Sequence, residues 1–193
     1  MKKIVVSSEE ELMEMYWQLV LKRATEFMND CLKNDSFSVN FKNQNKDSLF
    51  FKIIMFELAI IHSYILAYVD SSFGPRKSNV SKTMVDNFFR MASNKYKDNY
   101  DEFKKLASHT SAFEDYSHEL WTDLQNREDQ FFIPKSSQKA LEILFDTKDK
   151  IDDFRCIVKV FDHAQEMLFN YHEIGKNIVF ESDKQSKPFW KLW

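Results

Sequence analysis

Apolar residues recur at three- and four-residue steps along most of the chain, the spacing that places them on one face of an α-helix. In one segment the step runs through Met84, Phe88 and Met91. In the next it runs through Phe113, Tyr116 and Leu120. Taken with the polar residues that flank each apolar run, the pattern predicts five helices, at residues 8–34, 48–72, 80–107, 111–130 and 137–174.

Residues that start and stop helices support these bounds. Ser8-x-x-Glu11 and Ser111-x-x-Glu114 have the spacing of capping boxes, and Gly74 and Gly175 stand where helices are predicted to end. The segment 137–174 contains no Gly or Pro, but it crosses the polar stretch DTKDK at 146–150. The sequence leaves open whether this segment is one very long helix or two.

Short β-like runs lie close to both ends of the sequence. KIVV at 3–6 and NIVF at 177–180 can meet as a two-stranded ribbon, and FSVNF at 37–41 alternates like a strand in the loop after the first helix. With only 2 Gly and 3 Pro, the chain lacks the turn formers that an all-β domain needs. We therefore predict an all-α fold: a single-domain bundle over residues 1–193, with about five long helices and a minor terminal ribbon.

The predicted second helix is the most apolar part of the chain, with 17 apolar residues out of 21 in the segment 49–69. Glu57 and His62 lie well inside this run, and a charge at that depth costs about 3 kcal/mol in a membrane. We predict a buried central helix (48–72) and no membrane span. Lys52, near the start of the helix, is expected to extend its amino group outward.

If Glu57 is buried, its carboxylate needs a charged or hydrogen-bonding partner. Ile53, Ile54, Ile60 and Ile61 are its neighbours one turn away in either direction, so a buried carboxylate here must find its partner on another helix. Arg90, Arg155 and His163 are candidates. We treat Glu57, His62 and His163 as a candidate buried polar site, which is either a core pair or a functional site.

The sequence predicts no bound metal or other cofactor. His163 and His172 are nine residues apart, which places them on opposite sides of one helix, so they cannot share a metal ion. Asp115-x-x-His118 is the nearest approach to a carboxylate and histidine ligand pair, and a chain with 30 acids and 5 histidines produces one by chance. No HExxH motif or glycine-rich phosphate loop occurs.

Charge and cysteine usage restrict the setting in which the protein works. The formal net charge is −3, so the chain has no overall positive charge that would attract nucleic acid. The apolar run at the N-terminus is too short for a secretory signal, and Cys31 and Cys156 have no CxxC spacing. We expect a cytoplasmic protein with two reduced, buried thiols.

Aromatic residues are concentrated in the last eleven positions, 183–193. This predicted tail carries Phe189, Trp190 and Trp193 beside Lys187 and Lys191. Such side chains either fold back onto the bundle or dock on a partner, because Trp beside a cation is typical of interface anchors. We treat Phe189, Trp190 and Trp193 as candidate docking residues.

Two hypotheses for function follow. The favoured one is a non-enzymatic helical protein that acts through its surface, as a homodimer, as a regulatory protein or as a small acidic inhibitor that binds a protein partner. The alternative is a helical-bundle enzyme, or a metal- or small-ligand-binding protein, with a site near Glu57 and His62. The sequence identifies neither a substrate nor a partner.

Overall fold

The fold is all-α with one small parallel ribbon. The computed structural model describes residues 3–41, 44–67, 77–126, 134–147 and 153–181. Within these ranges there are two strands and eight helices, namely β1 (Ile4–Val6), α1 (Glu9–Lys33), α2 (Asp35–Phe41), α3 (Lys46–Ala67), α4 (Lys77–Lys95), α5 (Tyr100–Ser108), α6 (Thr110–Asn126), α7 (Lys135–Phe145), α8 (Phe154–Gly175) and β2 (Ile178–Phe180). The predicted fold class is confirmed, while the assignment of all 193 residues to a single domain stays a prediction.

Helix α3 is the centre of the bundle, as its apolar sequence predicts. It packs against α1, α4, α5, α6, α7 and α8, and residues 51–61 are all buried. None of the helices in the described ranges is both long enough and apolar enough to cross a membrane. The predicted end of this helix, after Ala67, lies outside the described residues.

The predicted helix 80–107 is two helices, α4 and α5. The chain turns at residues 96–98, and the Asn99 side chain accepts a hydrogen bond from the Glu102 backbone N–H at 3.3 Å, which caps α5. Both helices keep the predicted apolar face, since Met84, Phe88 and Leu106 are buried. The break contains no Gly or Pro, so the sequence has no helix-breaking residue there, and the apolar spacing alone predicted one helix.

The prediction of a strand-like run at 37–41 is wrong, because this segment forms helix α2. Phe37 and Phe41 are both buried, one helical turn apart, while Val39 between them is 65% exposed. The Asn34 side chain accepts a hydrogen bond from the Ser36 backbone N–H at 3.0 Å and so starts the helix. An apolar residue at every second position fits a strand, but the first and last of these positions also fit one face of a helix.

Of the two alternatives for residues 137–174, the structure has two helices. Helix α7 ends at Phe145, and Asp146 follows in the left-handed backbone region with φ of 57°. Helix α8 begins at Phe154, where the Asp153 side chain accepts a hydrogen bond from the Arg155 backbone N–H at 3.0 Å. The polar stretch at 146–150 therefore separates two helices.

Two predictions about individual residues need correction. Lys52 does not extend into solvent: it is 2% exposed, and its ammonium group lies 3.8 Å from Asp146 Oδ2 and 3.3 Å from Gln44 Oε1. Helix α6 begins at Thr110, one residue before the Ser111 that the sequence predicts as its cap. The cap predicted for α1 is present, because Ser8 Oγ accepts from the Glu11 N–H at 3.2 Å.

The two strands form the predicted ribbon. Strands β1 and β2 are parallel, with Ile4 opposite Ile178 and Val6 opposite Phe180. Gly175 ends α8 just before β2, as predicted, but its role is one of packing. A Cβ atom at this position would collide with the hydroxyl of buried Tyr64, so a larger residue fits only if that side chain moves.

Candidate functional site

A buried acid and a half-buried histidine are joined across the centre of the bundle. Glu57 on α3 is fully buried, and one of its carboxylate oxygens, Oε1, is hydrogen-bonded to His163 Nε2 on α8. The His163 side chain is 13% exposed. Of the three partners considered for Glu57, His163 is the one in contact, since Arg90 bonds to Asn87 and Arg155 to Asp153.

Tyr171, two turns along α8 from His163, reaches the other carboxylate oxygen of Glu57. Its hydroxyl lies 3.5 Å from Oε2. Burial, and then the negative charge of Glu57, raise the pKa of Tyr171 well above its usual value, so the phenol keeps its proton and donates it. Both oxygens of this fully buried acid thus have a hydrogen-bond partner.

Aromatic rings hold the imidazole in place. The ring centroid of Phe27 on α1 lies 4.2 Å from that of His163, and the centroid of Phe56 on α3 lies 5.9 Å away. Burial also raises the pKa of Tyr116 on α6 well above its usual value, and Glu57 is the largest charge that contributes. The carboxylate of Glu57 therefore lies among side chains that exclude water, and His163 is its link to the surface.

That surface is an open groove of about 520 Å³ between α1 and α8. One wall comes from α1 and the rest from one face of α8. The nine residues that line the groove are Phe27, Asp30, Phe154, Arg155, Val158, Lys159, Asp162, His163 and Glu166. Within the described residues the hydrogen bond of His163 is the one from Nε2 to the buried acid, and the side chain also lines the groove.

The other predicted site residues lie apart from this groove. His62 is half-buried on α3, five residues beyond Glu57 and about 140° further round the helix. Asp115 lies 3.5 Å from the Lys139 ammonium group, and His118 is exposed. In the part of the chain that the structure describes, no three His, Cys, Asp or Glu side chains form a group that could hold a metal ion. The docking residues Phe189, Trp190 and Trp193 lie outside that part.

A second polar cluster is centred on Asp146. Lys105 on α5 and Lys52 both reach Asp146 Oδ2, which joins α3, α5 and the end of α7. Burial lowers the pKa of Lys52, and the hydrogen bond from Lys105 lowers that of Asp146. His109 lies beside these groups, and its buried Nε2 has no hydrogen-bond partner among the described residues. Every charge in this cluster has a structural explanation, so we assign it no function.

The cysteines are buried and free, as expected. Cys31 and Cys156 are both fully buried. Burial raises the pKa of Cys31 far above its usual value and that of Cys156 to about 11. Neither thiol has the thiolate character that a nucleophile needs.

Sequence reasoning missed the groove, the Phe27 ring in its wall, and Tyr171 as the second partner of Glu57. Tyr171 and Phe27 occupy apolar positions of amphipathic helices, and nothing in their spacing distinguishes them from other core aromatics. Comparisons of the chain with protein-family models, curated proteins and solved structures find no match. Inferences about function therefore depend on this geometry alone.

Proposed function

We propose that this protein acts by binding a protein partner on the surface formed by α1 and α8, and that it is not an enzyme. One observation carries the proposal: Phe154 and Phe169 of α8 are 61% and 64% exposed, and Phe154 lines the groove. Burying one such phenylalanine contributes about 2 kcal/mol, so a partner that covers both would gain binding free energy from each.

The form of the groove favours a macromolecular partner over a small ligand. Sites for small molecules are usually enclosed and mostly apolar. This groove is open, and five of its nine lining residues are charged. Mixed charges around exposed aromatic side chains are typical of protein interfaces, where the aromatics anchor and the charges select the partner.

Site-specific photo-crosslinking tests the proposal. A photoreactive amino acid replaces Phe169 in one variant and Tyr100 in the control; Tyr100 is 73% exposed on α5. Both proteins are irradiated in an extract of the source cells. We expect a discrete adduct from position 169 and none from position 100. Absence of an adduct at 169, or the same adducts from both positions, would contradict the proposal.

A second candidate function is supported by the hydrogen bond between His163 and Glu57. A carboxylate that holds one imidazole nitrogen orients the ring, and the other nitrogen is then free to exchange a proton with a bound molecule. This arrangement supports the alternative of a small-ligand or acid-base site, with His163 in place of His62 beside Glu57. The stability of Glu57 variants separates the two candidates, as set out in the Discussion.

We also propose a cytoplasmic location. The support is that both cysteines are free thiols buried in the core, which is usual where the environment is reducing. Fractionation of the source cells tests it: recovery of the protein outside the cytoplasmic fraction would contradict the proposal.

A further inference from the structure

The exposed face of α8 has apolar side chains at both ends. Phe154 opens the helix and Phe169 lies fifteen residues later, about 22 Å along the axis, with half-buried Val158 between them. At 100° per residue these three side chains fall within about 60° of one another around the helix. They form a narrow stripe, which we call the α8 stripe.

Charges beside the α8 stripe are segregated along the helix. Arg155 and Lys159 lie in its first half, and Asp162 and Glu166 follow in the middle and second half. All four line the groove, and Arg155, Asp162 and Glu166 are exposed. Along the groove the positive groups therefore precede the negative ones, and Arg155 also forms an ion pair with Asp153 of its own chain at 3.2 Å.

We infer that the partner on this surface is a second copy of the chain, which packs its α8 antiparallel to the first about a twofold axis. This inference rests on the proposed function. In an antiparallel pair, Phe154 faces the partner's Phe169, Arg155 faces the partner's Glu166, and Lys159 faces the partner's Asp162. The midpoints of all three pairs fall between residues 160 and 162, so one register satisfies them together.

The charge order selects this arrangement. In a parallel pair, Arg155 would lie level with its own copy, as would Glu166, so no positive group would meet a negative one. An antiparallel pair brings each positive group to a negative group, and the twofold axis makes every contact twice. Asp30 of α1 is exposed on the far wall of the groove and adds an acid to the surface that receives the second α8.

The self-complementary charges allow a sharp test by charge reversal. Arg155→Glu and Glu166→Arg are made separately, and the mass of each protein in solution is measured by sedimentation velocity between about 1 and 100 µM. We expect a dimer for the unaltered chain and dissociation at least tenfold more favourable for each variant, because each reversal creates two repulsions. Lys95→Glu, a reversal on α4 beside Asp47, is the control and keeps the dimer.

Mixing the two variants guards against misfolding as the cause. At positions 155 and 166, Arg155→Glu has two glutamates and Glu166→Arg has two arginines. We therefore expect the mixture to form a heterodimer although neither variant dimerises alone. A chain that is monomeric over the whole range, or variants that stay dimeric, would overturn the inference. The crosslinking at position 169 keeps the two proposals distinct: a foreign adduct with a monomeric chain rejects only the second copy, and no adduct at all rejects both.

Discussion

His163 on α8 and Glu57 on α3 share one hydrogen bond, yet the two side chains have very different access to water. Glu57 is fully buried, while His163 lines the groove between α1 and α8. Removing the hydrogen-bond partner of a charged or polar group lowers the free energy of unfolding most where water cannot take that partner's place. The two residues are therefore not equivalent in their contribution to stability.

The first prediction uses this asymmetry. His163→Leu leaves a fully buried carboxylate with Tyr171 as its one remaining donor, so we expect a loss of about 3–5 kcal/mol in the free energy of unfolding. Glu57→Leu leaves an imidazole that reaches the groove, so we expect a smaller loss, about 1–2 kcal/mol. The double variant should recover much of the larger loss. Urea unfolding of the three variants measures all of these differences.

The same measurement separates the two candidate functions. A purely structural pair gives the pattern above. A functional site holds unfavourable polar groups at a cost to stability, so Glu57→Leu would then leave the free energy of unfolding unchanged or raise it. A clear stabilisation by Glu57→Leu would count against the proposed protein-binding role and favour the ligand site.

The second prediction concerns Gly175. Gly175→Ala places a methyl group against the Tyr64 hydroxyl, and overpacking of this kind costs about 1–3 kcal/mol. Removing the hydroxyl with Tyr64→Phe makes room, so the double variant should be more stable than Gly175→Ala alone. Thermal unfolding of the single and double variants checks this. If Tyr64→Phe gives no rescue, another contact enforces glycine at this position.

The third prediction is a pH dependence from His109. Burial, and then the positive charge of Lys52, lower the pKa of His109 below its ordinary 6.5. As the pH falls below about 6.5, His109 of the unfolded chain binds a proton while His109 of the folded chain stays neutral. The free energy of unfolding therefore falls as the pH falls from about 7 to 5. His109→Leu removes this contribution, and its unfolding free energy should fall less over the same range. Urea unfolding at several pH values compares the two proteins, and parallel curves would contradict the prediction.

The fourth prediction concerns the aromatic tail at 183–193, which lies outside the described residues. Four of the last five residues have large apolar side chains, which would promote association if they were exposed to solvent. We therefore expect them to pack on this chain or on a second copy. Deleting residues 188–193 should lower the melting temperature or the mass in solution. If the truncated protein keeps both values, the tail serves an outside partner.

Much of the fold could be predicted from the sequence, because its strongest signals are local. The apolar run around Glu57 predicts the central helix, and the two short β-like runs predict the ribbon. Neither break contains Gly or Pro: the one at Asn99 depends on a side-chain cap, and the one at Asp146 on a left-handed residue whose backbone N–H bonds to the end of α7. Periodicity reveals neither of these local features. The helix at Phe37 was concealed because two buried positions cannot distinguish a period of two from a helical turn.

The candidate site could be predicted only in part. The isoleucines around Glu57 show that its partner must come from another helix, and His163 was one of three residues considered. Choosing among them requires the packing of α3 against α8, which no local pattern encodes. Lys52 shows the same limit, since its burial depends on Asp146 at the end of a helix far away in the sequence.

The ribbon has a consequence for how the molecule folds. Ile4 and Ile178 are about 170 residues apart in the chain, so their pairing closes the largest loop in the described structure. Closing so large a loop costs entropy that two three-residue strands cannot repay, and the strands therefore pair only after the helices have brought them together. The ribbon is then the last element to form and the first to open, and its backbone amides should exchange hydrogen with solvent well before those of α3.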